Sequence, residues 1–319
     1  MLPIIDLSRF VNASPVERQA IADDLGAACE SMGFFYVANH GVSQDVIEGA
    51  LAASKAFFAR PREEKLRYER RKGRYRGYIP ISDFTETAAD RPPVRYEAFL
   101  VGREIPAHDP AVSASEGMLV PNVWPSAPGG FREAVLTYQD AVERVAGQVM
   151  QAFALALSGG RTDRLFDGFF GNALSNISLL HYLPRPQSGS DGLDDARAHY
   201  DTNAITILLP GKVGGLEAMR PDGSWMEVPP LDGCFVVNIG NMMACWSGGR
   251  FKSTMHRVHP PLGVDRYSIG YFLVPDYDVI VEPLDREAVV DPAACAPIHA
   301  GPNLAEFVAS CDAMVPVRA

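Results

Sequence analysis

The chain has 319 residues, of which 47% are hydrophobic and 21% charged, with a formal net charge of -10. This is the composition of an ordinary globular protein, and the acidic balance argues against a nucleic-acid partner, because phosphate binding depends on lysine and arginine. No apolar run reaches the roughly 18 to 20 residues that span a bilayer, so we expect no membrane partner. Because no signal peptide is evident, we expect a cytoplasmic protein. We also expect it to be a monomer or weak homodimer.

The amino-terminal region predicts two helices separated by a strand. Ser14, Pro15 and Glu17 are the residue types of an N-cap, a first helical position and a third one, which together form a capping box, and Gly33 ends this helix. The apolar letters FFYVAN that follow predict a strand, and residues 43–58 predict the second helix.

Basic side chains are concentrated between Arg60 and Arg76. We expect most of them on a solvated helix end and loop. An alternative is that Arg74 or Arg76 points into a pocket and attracts an anionic substrate.

Residues 131–157 keep a helical spacing of apolar side chains, which predicts a scaffold helix that ends at Gly159 and Gly160. From residue 177 onward, short β-type runs alternate with proline and glycine, which is typical of a barrel or jelly roll. We therefore expect an α+β fold whose core is mainly β, a distorted double-stranded β-helix flanked by helices. Residues 1–120 are interpreted as an amino-terminal helix and strand region packed on the core, and residues 121–319 as the catalytic core with its scaffold helix.

Two motifs in the β-type region supply ligands for a metal. In a strand, residues i and i+2 project from the same face, so His199 and Asp201 should share a pocket, next to the apolar strand predicted at residues 205–209. His256 is the natural third ligand, and His259 ranks second because the two prolines after it would end a strand. Two imidazoles and one carboxylate suit non-haem Fe(II) and leave other coordination positions open for oxygen chemistry.

The same spacing recurs at Arg266 and Ser268, in the apolar stretch RYSIGYFLVP. A guanidinium and a hydroxyl on one face can hold a carboxylate by charge-assisted hydrogen bonds. A buried guanidinium also needs a partner. This pair therefore predicts a dicarboxylate cosubstrate.

The stretch from Leu179 to Pro275 resembles the iron- and 2-oxoglutarate-dependent dioxygenases of the isopenicillin N synthase-like family, whose pattern is H-x-D, a gap, H and then R-x-S. Here 54 residues separate Asp201 from His256. The segments LPIIDLSRF, GFFYVANHGV and GFREAVLTYQDAV resemble the same family, so the resemblance covers nearly the whole chain. The chain departs from the family pattern at Leu183 and Asn241, where proline and aspartate are common.

The resemblance implies a ligand set and a reaction. Fe(II) is expected at His199, Asp201 and His256, and the far carboxylate of 2-oxoglutarate at Arg266, Ser268 and Tyr182. With O2, the enzyme is expected to oxidise an unactivated C–H bond of a small molecule and to release succinate and CO2. Hydroxylation is the default outcome, and desaturation and cyclisation are variants of it.

The resemblance also suggests residues that line a substrate pocket: Tyr78, Phe84, Phe99, Phe272 and Val274. Three alternatives to the main interpretation stay open at this point. They are a 2-oxoglutarate-independent Fe(II) oxidase or cyclase of the same fold, a zinc hydrolase, and a non-catalytic protein that binds a metal or an oxo acid.

Overall fold

The computed structural model describes residues 1–71, 74–81, 95–115, 117–126, 129–186 and 196–312, so Phe84 lies outside the described residues. The α-helices are α1 (Ser8–Val11), α2 (Pro15–Ser31), α3 (Gln44–Phe58), α4 (Arg62–Leu66), α5 (Pro110–Ala114), α6 (Phe131–Ser158), α7 (Asn241–Trp246) and α8 (Ala300–Asp312). The strands are β1 (Ile4–Asp6), β2 (Phe34–Ala38), β3 (Gly77–Ile79), β4 (Tyr96–Gly102), β5 (Asn176–Tyr182), β6 (Ala196–His199), β7 (Ile205–Leu209), β8 (Leu216–Met219), β9 (Trp225–Glu227), β10 (Cys234–Ile239), β11 (His256–Val258), β12 (Arg266–Leu273), β13 (Ile280–Val281) and β14 (Ile298–His299).

Two sheets form the core of the molecule. The large sheet has the strand order β1-β2-β10-β7-β12-β5-β4-β3, and the small sheet has the order β6-β11-β8-β9. Between β5 and β12 the chain passes repeatedly from one sheet to the other. This winding confirms the predicted double-stranded β-helix. The strands of residues 1–120 extend the large sheet at both edges, and the division near residue 120 stays a prediction.

The large sheet is buried on both faces, because helices cover one and the small sheet the other. The interior between the two sheets is lined by apolar side chains from both of them, namely Phe34, Tyr36, Tyr182, Leu216, Ala218, Val236 and Val258. The opposite face packs against α2, α3 and α6 through Phe35, Val37, Phe99, Leu179, Ile207, Val237 and Ile269. Successive residues of a strand face opposite sides of the sheet. Whether a residue is at an odd or an even position in its strand therefore decides whether its side chain faces the interior between the sheets or the helices.

The amino-terminal predictions are confirmed at the level of single hydrogen bonds. The Ser14 side chain accepts from the Glu17 N–H, the Glu17 carboxylate accepts from the Ser14 N–H at 2.9 Å, and Pro15 is the first residue of α2. Ser43 caps α3, because its side chain accepts from the Val46 N–H. The scaffold helix is α6, and Gly159, the residue that caps its C-terminus, has a left-handed conformation.

The solvated loop expected between Arg60 and Arg76 is only partly correct. Lys65, Arg70 and Arg76 are 7%, 8% and 2% exposed. For Lys65 the reason is a buried acid on a distant strand, because its Nζ donates to Glu97 of β4 at 2.6 Å. Local charge density in the sequence could not reveal that partner.

Candidate metal centre and carboxylate clamp

His199 and His256 lie directly opposite each other in the small sheet. His199 ends β6, His256 begins β11, and the antiparallel register pairs the two. Their ring centroids are 4.3 Å apart. Asp201 lies two residues beyond β6 and is buried, whereas the intervening Tyr200 is exposed.

The three side chains point their ligand atoms at one another. Within the described residues, one ligand atom of His199, one of Asp201 and one of His256 all lie within 4.8 Å of one another. Both imidazoles turn Nε2 toward Asp201 Oδ1, at 3.6 Å from His199 and 3.7 Å from His256. These distances are too long for hydrogen bonds and leave a gap between three ligand atoms. Two imidazole nitrogens and one carboxylate oxygen are a donor set that fits Fe(II).

Hydrogen bonds fix which atom of each imidazole is available to a metal. Nδ1 of His199 contacts the carbonyl oxygen of Arg197 at 2.8 Å, and Nδ1 of His256 contacts that of Thr254 at 3.1 Å. A ring that donates its Nδ1–H to a carbonyl keeps the lone pair of Nε2 free for a metal. Both rings are therefore oriented as Nε2 ligands.

The second oxygen of Asp201 is held by the large sheet. Oδ2 accepts from the Thr206 hydroxyl at 2.5 Å and from Asn238 Nδ2 at 2.7 Å, which leaves Oδ1 facing the two imidazoles. The N–H of Asn241 donates to the Asp201 carbonyl at 2.8 Å, so this departure from the family pattern supports the ligand through its backbone. Sequence reasoning missed Thr206 and Asn238. The sequence does contain a signal that could have indicated them, because Thr206 and Asn238 are polar residues within the otherwise apolar strands β7 and β10.

Electrostatics keep the carboxylate charged despite its burial. Burial acts to raise the pKa of Asp201, but His256, His199 and the Thr206 hydroxyl together hold it well below its usual value. At His256 burial dominates and lowers the pKa. At His199 burial acts to lower the pKa, but the nearby Asp201 carboxylate and the Arg197 carbonyl outweigh it, and the pKa is raised. An ionised carboxylate and a neutral imidazole are the forms that bind metals.

Arg266 and Ser268 lie in the interior between the sheets, as their spacing predicted. Arg266 Nη1 donates to Ser268 Oγ at 3.0 Å, and both side chains are buried. Tyr182 lies opposite Arg266 in the register of β5 and β12, and its ring centroid is 4.7 Å from the guanidinium carbon. The intervening Tyr267 faces the other way and stacks on His181. The structure thus brings together the three residues that were predicted to bind the far carboxylate. We call Arg266, Ser268 and Tyr182 the clamp.

The clamp has an unmet hydrogen-bonding requirement. Arg266 is 1% exposed, and its Nε has no hydrogen-bond partner among the described residues. A buried guanidinium N–H without an acceptor is costly. The residues present therefore fit a ligand that supplies an anionic oxygen.

Of the five residues predicted to line the substrate pocket, the structure describes four, and these do not all lie on the same face of the large sheet. Phe272 is half-buried and lies opposite Thr206, in the interior beside the metal-ligand group. Val274 is buried just beyond β12, where its N–H and its carbonyl oxygen both bond to the Ser175 hydroxyl.

Tyr78 and Phe99 pack among the helices instead. Their ring centroids lie 5.6 and 4.8 Å from that of Phe57 in α3, and the Tyr78 hydroxyl donates to Glu97. The structure does not bring these two residues to the metal centre. Strand alternation turns them to the face opposite Arg266 and Thr206.

Comparison with known proteins agrees with this geometry. Residues 2–127 match the family model described as "non-haem dioxygenase in morphine synthesis N-terminal", and residues 174–275 match "2OG-Fe(II) oxygenase superfamily". The chain is 34% identical over 301 residues to the 2-oxoglutarate-dependent dioxygenase citB of Monascus ruber, covering 89% of this chain and 88% of that protein. It is 31% identical over 304 residues to the 2-oxoglutarate-dependent dioxygenase tropC of Talaromyces stipitatus, covering 89% of this chain and 90% of the relative.

Solved structures have the same fold. A full-length Neurospora crassa protein in complex with alpha-KG (2-oxoglutarate) superposes with a TM-score of 0.83 at 27% identity, covering 97% of this chain and 96% of that one. A putative 2OG-Fe(II) oxygenase family protein of Caulobacter crescentus gives a TM-score of 0.82 at 30% identity, with 97% and 99% covered.

Proposed function

This chain belongs to the 2-oxoglutarate- and Fe(II)-dependent oxygenase superfamily, and we propose that His199, Asp201 and His256 hold its iron. It is a dioxygenase that uses Fe(II), 2-oxoglutarate and O2. We further propose that its reaction is the hydroxylation of an unactivated C–H bond of a small molecule. The observation that supports the proposed binding residues is the buried Arg266, whose Nε finds no acceptor in the described ranges.

When bound, Fe(II) with 2-oxoglutarate and O2 supplies the oxidising power, and 2-oxoglutarate is converted to succinate and CO2. The protein's part is to orient the reactants. Asp201 and the two imidazoles would hold Fe(II) through one carboxylate oxygen and two ring nitrogens, a donor set that suits oxygen chemistry at the metal. Thr206 and Asn238 hold Oδ2 of Asp201 by hydrogen bonds, so Oδ1 would be the oxygen that binds the metal.

Arg266, Ser268 and Tyr182 are proposed to bind the far carboxylate of 2-oxoglutarate. Ser268 lies four residues along β12 from Phe272, which is opposite Thr206, so the clamp lies on the same face of the large sheet as a residue that holds Asp201. Apolar side chains line the interior between them. In such surroundings a charge-assisted hydrogen bond is stronger than in water. The guanidinium would therefore select a diacid over a monoacid.

The experiment that tests the proposal is anaerobic addition of Fe(II) and 2-oxoglutarate to the purified protein. We expect the weak visible charge-transfer band of the metal–oxo-acid chelate, which Fe(II) alone and 2-oxoglutarate alone should not produce. On admission of air, succinate should form. O2 uptake that does not depend on 2-oxoglutarate would instead identify the oxidase or cyclase of the same fold, and absence of both signals would contradict the proposal.

A small-molecule substrate, 2-oxoglutarate and O2 are the partners expected for this family. No helix within the described ranges combines the length and apolarity that crossing a membrane requires. We propose that the enzyme acts in the cytoplasm as a monomer or weak homodimer without nucleic acid. Size-exclusion chromatography with light scattering would test the oligomeric state.

A further inference from the structure

Arg76, the residue before β3, is a buried cation that the reaction described above does not use. Its side chain is 2% exposed. Burial lowers the pKa of its guanidinium to about 10, so it stays charged at neutral pH. Nη1 donates to the Tyr75 carbonyl at 2.6 Å. No carboxylate of the described residues forms an ion pair with it, and an uncompensated buried charge is strongly unfavourable.

The other two nitrogens of Arg76, Nε and Nη2, have no hydrogen-bond partner within the part of the chain that the structure describes. They share one edge of the planar guanidinium. This edge can donate two parallel hydrogen bonds to the two oxygens of one carboxylate. The missing partner is therefore an anion with two acceptor atoms side by side.

Gly102 is the last residue of β4. Because it has no side chain, the Arg76 guanidinium can lie against it, on the face of the large sheet that faces the interior. A Cβ added to Gly102 would fall 1.9 Å from Arg76 Nη2 and 2.3 Å from Nε. Alternation along β4 directs that position to the face opposite the helix-side Phe99. A glycine in a strand often marks such a close approach.

Gly102 also begins a row of paired residues that leads to the metal centre. The row crosses five neighbouring strands of the large sheet through Gly102, Asn176, Phe272, Thr206 and Asn238. Its last two members are the residues that hold Asp201. At about 4.8 Å per strand, Gly102 lies roughly 14 Å from Thr206. Between them, Asn176 is 2% exposed, and its Oδ1 accepts no hydrogen bond from any described residue.

We propose that Arg76 determines substrate specificity by binding a carboxylate of the substrate through Nε and Nη2. The rest of the substrate would extend along the row of residues that begins at Gly102 and leads to the metal. The inference rests on the proposed function. It assigns the substrate to the small organic acids whose carboxylate is several bonds away from the carbon that is oxidised. Asn176 offers such a molecule a hydrogen-bond acceptor along the way.

Acetate is a suitable probe because it carries only the recognised group. The protein is loaded with Mn(II) in place of Fe(II), and the clamp at Arg266 is blocked with N-oxalylglycine, an unreactive analogue of 2-oxoglutarate. Acetate is then titrated, and paramagnetic broadening of its methyl signal is measured by NMR. We expect saturable broadening, since an acetate on Arg76 lies close enough to the metal for its relaxation to be enhanced.

Three variants distinguish a direct contact from a general charge effect. Arg76→Gln should weaken acetate binding roughly ten- to hundredfold. Arg74→Gln removes the same charge from an exposed neighbour and should leave acetate binding unchanged. Gly102→Ala keeps the charge but displaces the guanidinium, so it should weaken binding too, and it decides the matter if Arg76→Gln does not fold.

The proposal is overturned if the wild type shows no saturable broadening, if Arg76→Gln and Gly102→Ala bind acetate normally, or if Arg74→Gln loses as much as Arg76→Gln. The visible band of Fe(II) with 2-oxoglutarate is recorded for the same proteins. Its presence in the wild type and in Arg76→Gln supports the proposed function whatever acetate does. Its absence in the wild type would contradict that function instead.

Discussion

At the scale of single residues, the metal centre depends on hydrogen bonds to the atoms that do not face the metal. Each imidazole has its Nδ1 on a backbone carbonyl, and Asp201 has Oδ2 on two donors. Partners of this kind orient the ligands, and their loss typically weakens metal binding severalfold or more.

Thr206→Val should therefore weaken iron binding although Thr206 is not a ligand. Valine has nearly the shape of threonine but lacks the hydroxyl that donates to Asp201 Oδ2. We expect the Fe(II) dissociation constant to rise roughly 10- to 100-fold. Anaerobic titration measures it, and Thr206→Ser should restore tight binding. If the valine variant binds Fe(II) like the wild type, the hydroxyl does not orient Asp201.

Arg266→Lys tests the clamp at the same scale. Lysine keeps the positive charge but replaces a planar fork with a single ammonium, so the bidentate contact to a carboxylate is lost. We expect the dissociation constant of 2-oxoglutarate to rise about tenfold or more, measured from the visible band, with iron binding unchanged. An unaltered constant would reject Arg266 as the anchor of the far carboxylate.

At the scale of elements, a buried ionic cluster ties β4 and β5 to α4. Glu97 of β4 accepts from Lys65 of α4 at 2.6 Å, contacts His181 Nδ1 of β5 at 2.8 Å and accepts from the Tyr78 hydroxyl. Burial acts to raise the pKa of Glu97, but the hydrogen bonds from His181, Lys65 and Tyr78 outweigh it and lower the pKa below its usual value. The ionised form is thus the stabilising one.

Glu97→Gln should lower the free energy of unfolding by about 3 kcal/mol at neutral pH, because it leaves the buried Lys65 without its charge partner. Since the pKa of Glu97 is lowered in the folded state, its contribution is present above the unfolded value near 4.5 and is lost as the pH falls through the folded value. The difference between wild type and variant in urea unfolding should shrink accordingly in acid.

The matched control for this prediction is Glu30→Gln. Glu30 also accepts from a cation, Arg250 at 2.8 Å, but its side chain is 48% exposed. Such a surface pair contributes under about 1 kcal/mol. Equal losses in the two variants would show that burial of Glu97 does not determine its effect.

At the scale of the whole molecule, His199 contributes little to the packing that stabilises the fold. It ends β6, and its side chain is 51% exposed. His256, in contrast, packs edge-on against the buried Phe34, with ring centroids 5.5 Å apart. The jelly roll should therefore persist when His199 is replaced.

His199→Ala should abolish iron-dependent succinate formation while leaving the metal-free protein folded. Little packing is removed, so the free energy of unfolding without metal should change by less than about 1 kcal/mol. Treating the wild type with a chelator should cause the same loss of turnover, and added Fe(II) should reverse it in the wild type only. Succinate formation by the variant at the wild-type rate would refute His199 as a ligand.

The sequence alone determined the features that depend on local chemistry or on parity. The capping box of α2, the apolar spacing of α6 and the same-face pair Arg266 and Ser268 can all be inferred from residues close together in the chain. They follow from backbone geometry, which is the same in every protein. The family resemblance then added the long-range pairing of His199 with His256.

Only the tertiary structure decided which distant strands are neighbours and which face of a sheet a residue enters. It placed Thr206 and Asn238 behind Asp201, buried Lys65 against Glu97 and turned Tyr78 and Phe99 away from the metal. It also set Arg76 on Gly102 at the end of the row that leads to the ligands. Parity defines two faces of a strand, but the partners on each face come from residues far away in the chain. Their identity is decided by packing and register, which no short stretch of sequence contains.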